Sequence, residues 1–150
     1  MRLVVAALTV SLLLAACGGG NQRATPAEWQ ANADGVVKQL RDDVVEISAV
    51  DSVPAARRAL HDDSQLYAIL IVFSDVGGCS HMVAALGTAP PARVKAVPQF
   101  DAACTHLGRA SKLFTRAVAR TSPAVLVAAA HEALASLPPL DRAALALRRG

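Results

Sequence analysis

Apolar positions recur every three or four residues through most of this 150-residue chain, and prolines and glycines interrupt them at intervals. Trp29, Ala33, Val36, Leu40, Val44 and Ile47 lie one helical turn apart and form the stripe of an amphipathic helix. Thr25-Pro26-Ala27-Glu28 precedes that stripe with a capping hydroxyl, a proline for the first turn and an acid behind it, so a helix is predicted near 27–48. Ser52-Val53-Pro54 restarts the chain in a short helix near 54–61. Thr121-Ser122-Pro123 opens another near 123–136, with Leu126, Ala130, Leu134 and Leu137 along one face. A last short helix near 139–148 ends in Arg148 and Arg149, which suit its negative pole.

The run Leu66 to Phe73 (LYAILIVF) is apolar throughout, and composition alone would also fit a buried strand. The spacing around it favours a helix. Ile69, Val72, Val76, Cys79, Val83 and Leu86 are separated by alternating steps of three and four, and so are Val97, Phe100, Cys104, Leu107, Ser111 and Phe114. Between the two seams lies Gly87-Thr88-Ala89-Pro90-Pro91, a turn. Folding the chain back on that turn sets Leu86 against Val97, Val83 against Phe100, Cys79 against Cys104, Val76 against Leu107, Val72 against Ser111 and Ile69 against Phe114. The predicted helices span about 65–87 and 92–121. Gly77 and Gly78 would let two helices approach closely. Pro98 is compatible only with a first turn or a kink, so 92–97 is expected to be a separate short turn of helix.

Apolar residues make up 53% of the chain, which excludes a disordered protein. Aromatics make up 3%, too few for base-stacking platforms, so nucleic acid is not an expected partner. The expected fold is all-α: a small antiparallel bundle of about four main helices with shorter ones.

The first residues have a different character. Met1-Arg2 is a short basic start, Leu3 to Leu14 is apolar, and Leu14-Ala15-Ala16-Cys17 leads into Gly18-Gly19-Gly20. The run Leu3 to Ala16 is short for a membrane span and reads as a secretion signal. Leu14-Ala15-Ala16-Cys17 resembles the lipobox of bacterial lipoproteins. The resemblance implies cleavage before Cys17, a diacylglyceryl group on its sulfur, and a mature protein held to the outer face of the cytoplasmic membrane. Residues 1–16 are then a signal peptide, 17–26 a lipidated tether and 27–150 the helical domain. The 12 arginines against 3 lysines, with abundant Ala and Val, suggest a G+C-rich genome. Residues 76–145 are similar to uncharacterised actinobacterial lipoproteins in Gly78-Cys79, Ala89-Pro90-Pro91, Ala103-Cys104, Ala110 to Ala117 and Pro138-Pro139-Leu140. That resemblance implies a helical domain with a paired cysteine and carries no activity.

With Cys17 lipidated outside the cytoplasm, Cys79 and Cys104 are left to pair as a disulfide across the helical hairpin. The competing arrangement is a metal site from Cys79-Ser80-His81 and Cys104-Thr105-His106. Helix geometry opposes it, because residues two apart point about 200° away from each other. Free reactive thiols are a third alternative.

Charge divides unevenly. Residues 17–92 hold 5 basic and 9 acidic side chains, whereas residues 93–150 hold 9 basic and 3 acidic. Arg109, Lys112, Arg116 and Arg120 form a basic face, expected to meet solvent, the acidic first helix (Asp42, Asp43, Glu46) or anionic lipid. Asp42-Asp43 with Glu46 reads as a solvated helix face. His61-Asp62-Asp63 resembles half of a metal phosphohydrolase set, but no His precedes it, which leaves a cap and turn. His131-Glu132 lacks the second His of a zinc protease helix and reads as surface. No nucleophile elbow or phosphate loop occurs. The expected protein is a non-catalytic envelope lipoprotein without cofactors that binds an unknown envelope protein. The alternative is a carrier for an apolar small molecule or lipid between its helices.

Overall fold

The computed structural model describes residues 24–149; the predicted signal peptide, the lipidation site Cys17 and most of the tether lie outside the described residues. Seven α-helices occur among the described residues, and no strand. They are α1 (Pro26–Ile47), α2 (Val53–His61), α3 (Asp63–Gly77), α4 (Cys79–Ala85), α5 (Val97–Ala119), α6 (Pro123–Leu134) and α7 (Leu137–Arg149). Short 3₁₀ turns, Ser48–Val50 and Pro91–Ala96, follow α1 and precede α5. The chain is a small all-α bundle, as its apolar periodicity predicts.

Local chemistry explains the helix ends. The Thr25 hydroxyl accepts from the Glu28 N–H while the Glu28 carboxylate accepts from the Thr25 N–H, a complete capping box. Asp62 caps α3 by accepting from the Gln65 N–H at 3.0 Å, so His61-Asp62-Asp63 is a cap and turn. Pro98 sits in the first turn of α5, where its missing N–H removes no helical bond. Between α5 and α6 the Ser122 N–H donates to the Ala117 carbonyl and the Thr121 N–H to that of Val118. That closure places Thr121 at φ 46°, a left-handed conformation usually left to glycine.

The predicted 65–87 helix is two helices. The chain bends by 46° between α3 and α4 at Gly77 and Gly78. Gly77 is where helices come together: a Cβ there would lie 2.8 Å from Ser111 Oγ on α5. The bend changes the register with α5. Beyond it, Cys79 meets Cys104 as predicted, with Cα atoms 5.3 Å apart and the sulfurs bonded. Before it, Phe73 stacks on Phe114 and Gly77 lies against Ser111, about one helical turn along α3 from the partners the seams name.

Helix α5 lies at the centre and packs against α6, α3, α7 and α4. The larger core cluster includes Leu40, Val44, Ile47, Phe73, Leu107 and Leu126. A second gathers Trp29, Val37, Ala96, Phe100 and Leu147 where α1 begins and α7 ends. Buried alanines such as Ala103, Ala110, Ala129 and Ala133 bring α5 and α6 close. Helices α6 and α7 together have the length and apolarity to cross a membrane, but they contribute Leu126, Ala130 and Leu140 to the bundle core.

Candidate functional site

Helix α3 is apolar on more sides than the bundle can cover. Phe73 and Val76 turn fully inward, and Ile69 and Val72 are half-buried. Tyr67, Leu70 and Ile71 share the opposite face, three and four residues apart, and are 64%, 46% and 45% exposed. A helix apolar all round is ordinarily enclosed on all sides. Here the outward face lies open.

Beside that face runs an open groove of about 270 Å³ between the end of α1, α2 and α3. Ile47, Val50, Ala55, Ala68, Ile69 and Val72 line it, and Glu46, Arg58 and Gln65 stand among them as polar groups. Ile47 and Val50 form the floor because the 3₁₀ turn after α1 keeps both apolar side chains inward. Ala68 connects the groove to the outward face, since Ile71 follows it by three residues on the same helix. The groove has an acid, a base and an amide at different elements, and the histidines lie elsewhere.

The predicted site residues separate into distinct places. Cys79 and Cys104 are buried and bonded to each other between α4 and α5. His81 is exposed, and His106 is held by α6: its Nδ1 lies 2.8 Å from Glu132 Oε1, with the ring N–H donating. The basic face of α5 is largely solvent-exposed, at Arg109, Lys112, Arg116 and Arg120. Arg109 approaches Glu132 of α6 at 3.7 Å, and among the described residues no ion pair joins the stripe to the acidic residues of α1. Asp42 instead pairs with Lys38 at 2.7 Å along its own helix.

Two features depart from the residue pattern. Asp43 is not a fully solvated acid: one carboxylate oxygen is buried without a hydrogen-bond partner. Burial, then the charges of Asp75, Glu46 and Asp42, push its pKa up to about 6. Its position between Leu40 and Val44 on the inward stripe was the available signal. The face α3 turns inward is the second departure: Phe73, outside the seam of Ile69 and Val72, is fully buried while those two are half-buried, and Tyr67, Leu70 and Ile71 stay exposed.

Comparison with protein families, with curated proteins and with solved structures finds no match to this chain.

Proposed function

We propose that this chain is a lipid-anchored, non-catalytic protein of a bacterial cell envelope that binds another envelope protein through α3 and the adjoining groove. The observation that carries the docking role is the uncovered apolar face of Tyr67, Leu70 and Ile71 beside an open groove. Such a face loses water-exposed apolar area only when something covers it. The anchor is supported by Leu14-Ala15-Ala16-Cys17 and the apolar run before it.

The occupant best matched to this surface is an apolar helix or hairpin of a partner, with one side chain seated in the groove. At about 270 Å³ the groove is smaller than the roughly 300–1,000 Å³ of most small-molecule sites, and it is open to solvent. A lipid carrier needs a larger enclosed space, so the groove favours a protein partner.

A photo-crosslinking residue placed at Tyr67 in the full-length protein should give one discrete adduct in intact membranes. Leu70→Glu should abolish that adduct while leaving the helical spectrum and melting midpoint near those of the parent protein. Absence of an adduct, or co-purification of stoichiometric lipid in native mass spectrometry, would replace docking with the carrier role. Lipid labelling that persists in Cys17→Ser would remove the anchor.

A further inference from the structure

We propose that the end of the bundle where α1 begins is a seat for anionic lipid headgroups of the membrane surface. It presupposes the lipid anchor at Cys17 proposed above.

Several elements converge there. Ala24, Pro26 and Trp29 border a depression shared with the Gly87–Pro91 turn. Pro91 continues into a second depression lined by Ala92, Lys95, Arg142, Leu145, Ala146 and Arg149. Trp29 packs in one cluster with Ala96 and Leu147, and Arg93 Nη2 donates to Gln30 Oε1 at 2.7 Å. The start of α1, the 3₁₀ turn Pro91–Ala96 and the end of α7 therefore form one face.

That face is basic over an apolar floor. Among the described residues, no ion pair involves Arg93, Lys95, Arg142, Arg148 or Arg149. Arg142 donates through Nε to Gln99 Oε1 at 2.8 Å, which holds its guanidinium in place. The nearby Glu28 carboxylate is engaged by the Thr25 N–H. Val94 and Leu145 are exposed beside the cations. Cations around exposed apolar side chains match the boundary between phosphate headgroups and acyl chains.

Reach selects the membrane as the occupant. Cys17 precedes Ala24 by seven residues, a span of at most about 25 Å when extended. Helix α1, with 22 residues, is about 33 Å long. A lipid on Cys17 keeps the start of α1 near the bilayer, and the far end of α1 need not approach it. The basic cluster on the anchored face is thus Lys95, Arg142 and Arg149, in place of the α5 stripe.

The test uses the full chain carrying Cys17→Ser, so that no acyl chain contributes, sedimented with vesicles of phosphatidylcholine alone or mixed with phosphatidylglycerol. The readout is the difference in extra anionic-vesicle binding between variants, since residues 1–16, with the cationic Arg2, are the same in every variant and contribute equally to each. Extra binding that fades with added salt is expected, reduced at least about tenfold by Lys95→Glu with Arg149→Glu. Lys112→Glu with Arg116→Glu on the α5 stripe should leave it unchanged, with matching melting midpoints for all variants. Equal binding to both vesicles, or an increment kept by the first pair of changes, overturns the seat. Free glycerol phosphate that abolishes binding at millimolar concentration also overturns it, in favour of a small-anion pocket. Lipidation is read separately, from the mass of the Cys17 peptide of the unmodified chain, so failure of the anchor and failure of the seat are distinguishable.

Discussion

The rings of Phe73 on α3 and Phe114 on α5 stack with centroids 4.4 Å apart and planes 10° from parallel. Both are buried, so the pair joins two helices far apart in sequence at the centre of the larger core. Phe73→Ala should destabilise the protein by about 3–5 kcal/mol, from lost apolar contact and the cavity left behind. Phe73→Leu should cost less. Chemical denaturation would read both, and the double variant with Phe114→Ala should fall short of the sum of the single changes because the rings share one contact.

Gly77 should resist even alanine. The added Cβ would stand 2.8 Å from Ser111 Oγ and 3.2 Å from Ser111 Cβ, so Gly77→Ala is expected to lose about 1–3 kcal/mol. Adding Ser111→Gly should recover part of that loss, less about 1 kcal/mol for a glycine within α5. Gly35 offers the contrast: nothing lies within 4 Å of its hypothetical Cβ, and Gly35→Ala should stabilise α1 by up to about 1 kcal/mol. Denaturation midpoints of the three variants test the difference.

Asp43 should make stability depend on mildly acidic pH. Its pKa rises from 3.8 to about 6 on folding, through burial first and then the acids Asp75, Glu46 and Asp42. The folded state therefore holds the proton more tightly than the unfolded state. Its favourable contribution is fully present below about pH 4 and is lost as pH rises through about 6. The protein should gain stability from this group between pH 7 and pH 5. Asp43→Asn should raise stability at pH 7 and flatten that part of the profile. A steeper profile in the variant would contradict the assignment.

The bond between Cys79 and Cys104 closes a separation of 25 residues. Chain entropy assigns such a link about 3–4 kcal/mol, a large share of the roughly 5–15 kcal/mol of a typical domain. Reduction, or Cys79→Ala with Cys104→Ala, should lower the denaturation midpoint accordingly. Thiol labelling before and after reduction would show the two sulfurs become reactive only after reduction.

Thr121 holds φ 46° at the turn between α5 and α6. A β-branched residue is disfavoured there, so Thr121→Gly should stabilise the bundle by up to about 1 kcal/mol despite the greater freedom of glycine in the unfolded chain. A lower melting midpoint would mean that the threonine side chain contributes more than its backbone costs.

The candidate docking surface was only partly legible in the residue pattern. Leu66 to Phe73 announces itself as apolar, and Gly77-Gly78 as an interruption, but neither says which apolar faces a neighbour will cover. The bend at Gly78 turns α3 so that Phe73 takes the inward place opposite Phe114 and Tyr67, Leu70 and Ile71 look outward. The basic residues show the same limit. Arg109, Lys112, Arg116 and Arg120 stand out because they are periodic along one helix. Lys95, Arg142 and Arg149 gather from separate parts of the chain, and no local spacing connects them.

What local chemistry dictates here is the helices themselves: the Thr25-Glu28 cap, the Pro98 first turn and the period of the inward stripes. These are short-range effects, set by backbone hydrogen bonding and by residues within a turn of one another, so they can be read in order along the chain. The bend at Gly78, the half-buried carboxylate of Asp43 and the uncovered side of α3 depend on which helices come to lie against each other. Burial is a property of neighbours distant in sequence, and it exists only once the bundle has packed.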